Sequence, residues 1–250
     1  EHGFAYPAMR PAHQVRLLRC VPGRQGRPRT YQLIVVSLAD LRSLRYRALS
    51  YAWGRAQSRG QVQKIVVNEQ PFFIRRNLAD FLSTAATKNK YGLFFVDAIC
   101  VNQLDDEERR CQVKEMARVF RLANEVVAWL GAPPPAQVAS LQKLRLAKGQ
   151  DRAAWTDVQW EAFHYLSHHP YWSRLWAVQE ILLAPHVVLW CGPFTFSLSM
   201  LSSSRRGVTS APARHDADGR PSSLGGRVEG QYSPAQTIIT HRLCQTMQSS

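Results

Sequence analysis

Between Tyr91 and Gly131 the hydrophobic period of the chain switches twice, and this restricts the fold more than any other feature of the sequence. Tyr91–Val96 (YGLFFV) is a short apolar run ending at Asp97, as suits a strand buried on both faces. Asp105 then has the chemistry of a helix cap, with Glu108 three residues on as in a capping box. Val113, Met116, Ala117, Phe120 and Ala123 follow as an apolar stripe at helical spacing. Glu125–Leu130 returns to a strand pattern, stopped by Gly131 and the prolines Pro133–Pro135. Parallel strands need a crossover between them and lose both faces from water. Strand, helix, strand in this form therefore argues for an α/β fold, a mainly parallel sheet with helices on both faces.

The flanking segments extend the alternation. Tyr31–Val36 and Arg45–Trp53 read as strands, and Lys64–Ile74 as a hairpin turning at Asn68–Gln70, with Pro71 marking its second arm as an edge. Asn77 is a candidate cap for a helix carrying Leu78, Phe81, Leu82 and Ala85. Helical patterns follow over 137–147, 154–167 and 171–183, with a last strand at His186–Trp190. Residues 47–53, 93–97, 125–130 and 186–190 are expected to lie together in the sheet. The domain is expected to occupy 31–201. Residues 1–30, rich in Pro, Gly and Arg, read as an extended basic lead-in with one edge strand at Val15–Cys20. Residues 202–250 are dominated by Ser, Arg, Gly, Pro and Ala and read as a low-complexity, disordered or non-native tail.

Composition excludes several classes. A chain of 250 residues, 45% hydrophobic, can bury a substantial core. Its longest apolar runs are core-sized, so no membrane span is expected. The chain begins with Glu1 rather than Met and no apolar signal region follows, which suggests a fragment or trimmed chain. Five widely spaced cysteines without a C-x-x-C pair argue against a disulfide framework and a zinc site; a reducing, cytoplasmic compartment is the simplest reading. The net charge of +14 is diffuse: residues 1–30 hold six Arg against one Glu, and 202–250 six Arg against three acids. Without a lysine-rich stripe or interleaved aromatics, this argues against nucleic-acid binding. Neither a P-loop nor a G-x-G-x-x-G motif occurs.

Three ordered segments carry a family resemblance: RALSYAWG (Arg47–Gly54), the long stretch Leu93–Gly131 with its ICVNQ turn and AWLG strand, and YWSRLWAVQEI (Tyr171–Ile181). Together with HVVLWCG at His186–Gly192 they resemble the fungal heterokaryon incompatibility (HET) domain over roughly residues 46 to 192. HET domains are distantly similar to TIR domains. RALSYAWG resembles the first TIR strand and loop, and Trp176 with Glu180 and Ile181 resembles a TIR signature whose Glu is catalytic in enzymes that hydrolyse NAD. The resemblance implies a TIR-like or flavodoxin-like sheet, an intracellular effector or signalling role in fungal non-self recognition and programmed cell death, and NAD glycohydrolase chemistry centred on Glu180. NAD enters as a substrate; no cofactor or metal is implied.

Each candidate residue also has a structural reading. A fixed Glu180 carboxylate would stabilise a ribosyl cation or hold the ribose hydroxyls; alternatively it pairs with Arg174 or another nearby Arg. Asp97, at a strand end where open α/β sheets bind ligands, would otherwise cap the Ala98–Gln103 turn. Ser50, Tyr51, Trp53 and Gly54 stand at another strand end: the aromatics would stack on a flat ring and Gly54 would let backbone approach a phosphate, or Tyr51 and Trp53 are core. Trp176 is a further substrate-binding candidate. Cys100 has no His at a readable distance and reads as a small buried residue. His164 and His168 lack a third ligand, and the carboxylates Asp105–Glu108 are accounted for by the helix dipole. Two rivals to the enzymatic reading stay open: a non-enzymatic module that self-associates, and a truncated inactive copy.

Overall fold

Runs rich in β-branched and aromatic residues become strands, and apolar stripes of helical period become helices that cover them. In a computed structural model, which describes residues 3–22, 30–53, 62–88, 92–202 and 233–248, the chain begins with strands β1 (Gln14–Val21), β2 (Thr30–Ser37), β3 (Tyr46–Tyr51), β4 (Val62–Val67) and β5 (Gln70–Arg75). Helix α1 (Arg76–Thr87), β6 (Gly92–Phe95), the short α2 (Asp97–Cys100), α3 (Asp106–Leu122) and β7 (Glu125–Trp129) follow. Then come α4 (Pro135–Leu146), α5 (Asp157–Ser167), α6 (Leu175–Leu183), β8 (Val187–Cys191), β9 (Phe194–Ser197) and α7 (Pro234–Gln248).

The nine strands of the described residues form one sheet in the order β5-β4-β2-β1-β6-β3-β7-β8-β9. The four strands expected to lie together do so: β6, β3, β7 and β8 are adjacent and mutually parallel. Outside that core the expectation of a mainly parallel sheet needs correction. β1 pairs antiparallel with both β6 and β2, β4 with β5, and β9 with β8; β2 meets β4 through one parallel bridge, Tyr31 to Val67. The hairpin between β4 and β5 turns through Asn68 and Glu69, both at positive φ, the conformation that matches the right-handed twist of the flanking strands. Pro71 lies on the edge strand, where its missing N–H costs no ladder bond.

Side chains alternate across the parallel core and build two layers. On one face Phe81 of α1 meets Phe94, Trp129 and Trp190 at ring-centroid distances of 5.7 to 5.8 Å. On the other, Phe95 meets Phe120 of α3 at 6.0 Å. A second apolar cluster joins Ala128, Leu189 and Cys191 of the strands to Leu141, Leu166 and Ile181 of α4, α5 and α6.

The chain termini do not follow the expected boundaries. β1, drawn from the supposed lead-in, is an interior strand with Val15, Leu17 and Leu18 fully buried. α7, drawn from the supposed tail, buries Ala235, Ile238 and Ile239 in the second cluster. Residues 203–232 of that tail lie outside the described residues. No helix among the described residues is long and apolar enough to cross a membrane.

Candidate functional site

β3 and β6 run parallel, so their carboxyl ends open on the same side of the sheet, where an α/β fold leaves a crevice. Ser50 and Tyr51 end β3, and Asp97 follows β6. Successive strand residues face opposite ways, and the register sets Ser50 beside Ala128 of β7 and Tyr51 beside Trp129. Tyr51 thus belongs to the layer shared with α1, buried to 3% exposure. Ser50 faces the opposite layer, where the small Ala128 leaves room for α6 to approach.

α6 brings Glu180 onto that spot. Ser50 Oγ donates a short hydrogen bond to Glu180 Oε2, and Tyr171 OH lies 2.5 Å from the same Oγ. Ser50 has one proton; with it committed to the carboxylate, Tyr171 must donate to Ser50. The result is a buried relay, Tyr171 to Ser50 to Glu180. Burial pushes the Tyr171 hydroxyl far up, reinforced by the charge of Glu180, so it stays a donor. Burial also pushes the Glu180 carboxyl up to about 7, against the opposing effects of the Ser50 bond and the charge of Arg174. Glu180 is therefore poised to change charge near neutrality. The expected alternative, a Glu180–Arg174 ion pair, is not formed.

Glu180 also lines a cavity of about 370 Å³, together with Trp53, Asp97, Gln103, Arg109, Val113, Met116, Arg174 and Trp176 among others. That volume falls in the range of small-molecule sites, about 300–1,000 Å³. Asp97 accepts from the Trp53 indole N–H at 2.9 Å and from Ala98 N at 2.7 Å. Its carboxyl is raised, chiefly by burial, with the Trp53 bond acting against that rise. Asp97 thus closes its turn and also lines the cavity. Trp176 is 50% exposed at the rim.

Of the sequence candidates, Glu180, Asp97, Trp53 and Trp176 converge on this cavity. Ser50 lies behind it and acts through Glu180. Tyr51 is core rather than lining, because the strand's alternation turns it to the α1 side. Gly54 lies outside the described residues. Cys100 is fully buried and its thiol is pushed up to about 12 by burial, which removes it as a nucleophile. Among the described residues no cluster of His, Cys, Asp and Glu could hold a metal ion.

The α3 wall was missed. Arg109, Gln112, Val113 and Met116 recur at intervals of three and four and line the cavity together. The signal was present, but Val113 and Met116 had been read as core stripe. Arg174, expected only as a partner for Glu180, also lines the cavity, as do Val101 and Gln103.

Crevice and topology define an open α/β domain with a ligand-sized site at the carboxyl ends of its parallel strands. The family model described as heterokaryon incompatibility protein (HET) matches residues 46–180, from the first residue of β3 to Glu180 itself; the chain belongs to this family. It is similar to heterokaryon incompatibility protein 6, OR allele, of Neurospora crassa, with 32% identity over 96 residues. That match covers 34% of this chain and 14% of the relative, so the chain spans a small part of the relative's length. No solved structure matches.

Proposed function

We propose that this chain is an effector or signalling domain of fungal heterokaryon incompatibility, acting in non-self recognition and programmed cell death through cleavage of the N-glycosidic bond of an NAD-type nucleotide. One observation carries the chemical part. Glu180 is a carboxyl group 5% exposed, facing a cavity, tied to Ser50 and free of any ion pair among the described residues. A buried carboxyl with no cationic partner is costly, and perturbed carboxyls in clefts cluster at functional sites.

The reaction asks little more. The bond from ribose C1′ to the pyridinium nitrogen breaks with its electron pair going to nitrogen, so nicotinamide leaves neutral. C1′ becomes oxocarbenium-like, and the ionised Glu180 carboxylate stabilises that charge. Water adds to C1′, loses a proton and gives ADP-ribose. Trp53 and Trp176 would flank the planar base, and Asp97 would stand near the ribose.

Purified protein, assayed over a range of concentrations, should release nicotinamide from NAD. Glu180→Gln keeps size and hydrogen bonding but removes the charge, and should lower release by about a hundredfold or more. Absence of turnover with cell killing that survives Glu180→Gln would replace this reading by the self-associating module. That rival has its own support in Val113 and Trp176, which line the cavity and are 42% and 50% exposed. A protein that neither turns over NAD nor kills would be the inactive copy.

A further inference from the structure

Two cations among the described residues line the crevice, and they differ in kind. Arg109 is engaged: its Nη1 donates to the Gln103 carbonyl at 3.2 Å and its Nη2 pairs with Asp106 at 2.8 Å. Arg174 Nη1 is buried and has no hydrogen-bond partner among the described residues. Asp97 and Glu180 line the same cavity, yet neither forms an ion pair with it. A guanidinium N–H shut away from water without an acceptor costs free energy, and native proteins rarely leave one unless a ligand or ion completes it. Arg174 stands at the N-cap position of α6, where its side chain makes no capping bond, and its guanidinium lies 5.8 Å from the Tyr171 ring centroid.

The charges in the cavity constrain what completes it. A free anion entering there would meet two carboxyl groups. A ligand carrying a cationic centre and an anionic one, a short distance apart, would satisfy both ends. The pyridinium ribosyl and the adjoining phosphate of a dinucleotide have that arrangement, the cation facing Glu180 and the phosphate facing Arg174. Guanidinium is suited to this role because its fixed fork of N–H donors matches phosphate oxygens.

We propose that Arg174 is the phosphate-binding residue of the crevice, taking an oxygen of the phosphate next to the ribosyl group and thereby selecting phosphorylated nucleotides over nucleosides. This rests on the cleavage reading above, and the test separates the two. NAD and nicotinamide riboside, which lacks the phosphate, are compared as substrates of the whole chain, and ADP-ribose binding is measured by calorimetry. Wild type should favour NAD. Arg174→Gln should lower kcat/KM for NAD roughly tenfold to a hundredfold, mainly through KM, as expected for a lost charge-assisted hydrogen bond. Its turnover of nicotinamide riboside should fall far less than its turnover of NAD, measured at a pH where Glu180 is ionised in both proteins, and an unchanged urea midpoint shows that the variant is folded. Arg174→Lys should recover part of the loss, and serves as the test if the Gln variant does not fold.

ADP-ribose binding should weaken by a similar factor in Arg174→Gln and persist in Glu180→Gln. Wild type that binds ADP-ribose through Arg174 but cleaves nothing would sink the cleavage reading and keep the phosphate site. Cleavage that needs Glu180, with NAD preference and ADP-ribose affinity indifferent to Arg174, would sink the phosphate site alone. Failure of wild type to bind ADP-ribose would overturn it as well.

Discussion

Ser50 is not among the described residues that line the cavity, yet its hydroxyl is hydrogen-bonded to Glu180. Its hydroxyl bond favours the ionised carboxylate and so acts against the rise caused by burial. Ser50→Ala should therefore raise the Glu180 pKa further and move the midpoint of nicotinamide release to higher pH, with a smaller effect on the plateau at alkaline pH. A pH profile unchanged in midpoint would show that Ser50 is only packing. The same raised pKa has a consequence for stability. The folded-state value of about 7 exceeds the ordinary 4.5, so the native state binds the proton more tightly than the unfolded chain. The resulting stability is fully present below pH 4.5 and is lost as pH rises through 7. The loss is on the order of 3 kcal/mol, and Glu180→Gln should flatten it; urea denaturation at pH 5 and pH 8 checks the difference. At this scale the sequence offered Glu180 and Asp97 through residue type and resemblance. Tyr171, 121 positions from Ser50, could be placed against it only by the fold.

Helix α3 shows how an element can be read correctly and its buried face only in part: Phe120 and Ala123 are core and Met116 packs against it, while Val113 is exposed. Asp105 caps it as expected, accepting from Glu107 N and Glu108 N at 3.0 Å. The capping box does not close, because Glu108 turns inward. Its carboxylate takes Arg16 Nη1 at 2.6 Å and Nη2 at 3.0 Å, and also Asn102 N at 2.6 Å. Both side chains are almost fully buried, so this bidentate pair fixes α3 against β1. The buried stripe accordingly runs Glu108, Gln112, Val119, Phe120, and Val113 and Met116 rotate toward the crevice. An apolar stripe signals the core side only when the polar alternative has no buried partner, and here that partner lay 92 residues away. Glu108→Ala would leave Arg16 charged and buried without its counter-ion. It should cost about 3–5 kcal/mol in urea denaturation, whereas replacing both residues by apolar ones of similar volume should cost far less. Equal losses in the two cases would mean that packing, not the stranded charge, dominates. Asn77 repeats the lesson at α1. Expected as a cap, it instead bridges strands, donating to the Ala52 carbonyl at 2.7 Å and accepting from the Trp129 indole at 2.8 Å.

Over the whole molecule, one sheet joins two apolar layers, and α7 completes the second. Arg242 donates to the carbonyls of Ile181 and Ala184, satisfying groups that the C-terminus of α6 leaves open. Ile239, 3% exposed, packs into the same cluster as Ile181. Ile239→Ala should therefore destabilise the fold by about 2–5 kcal/mol, read by urea denaturation; a change within error would mean that α7 is dispensable to the core. By itself the sequence determined the parallel core, the hairpin and the identity of most helices, because these rest on local periodicity and turn chemistry that neighbouring residues carry. It also supplied the family, Asp97 after β6 and Glu180 on α6. Only the tertiary structure decided that β1 is interior, that α7 belongs to the core, which face of α3 meets the crevice, and that among the described residues Glu180 has no ion pair and Arg174 Nη1 no hydrogen-bond partner. Each of these depends on contacts between residues far apart in the chain, where charge pairing and burial override local pattern.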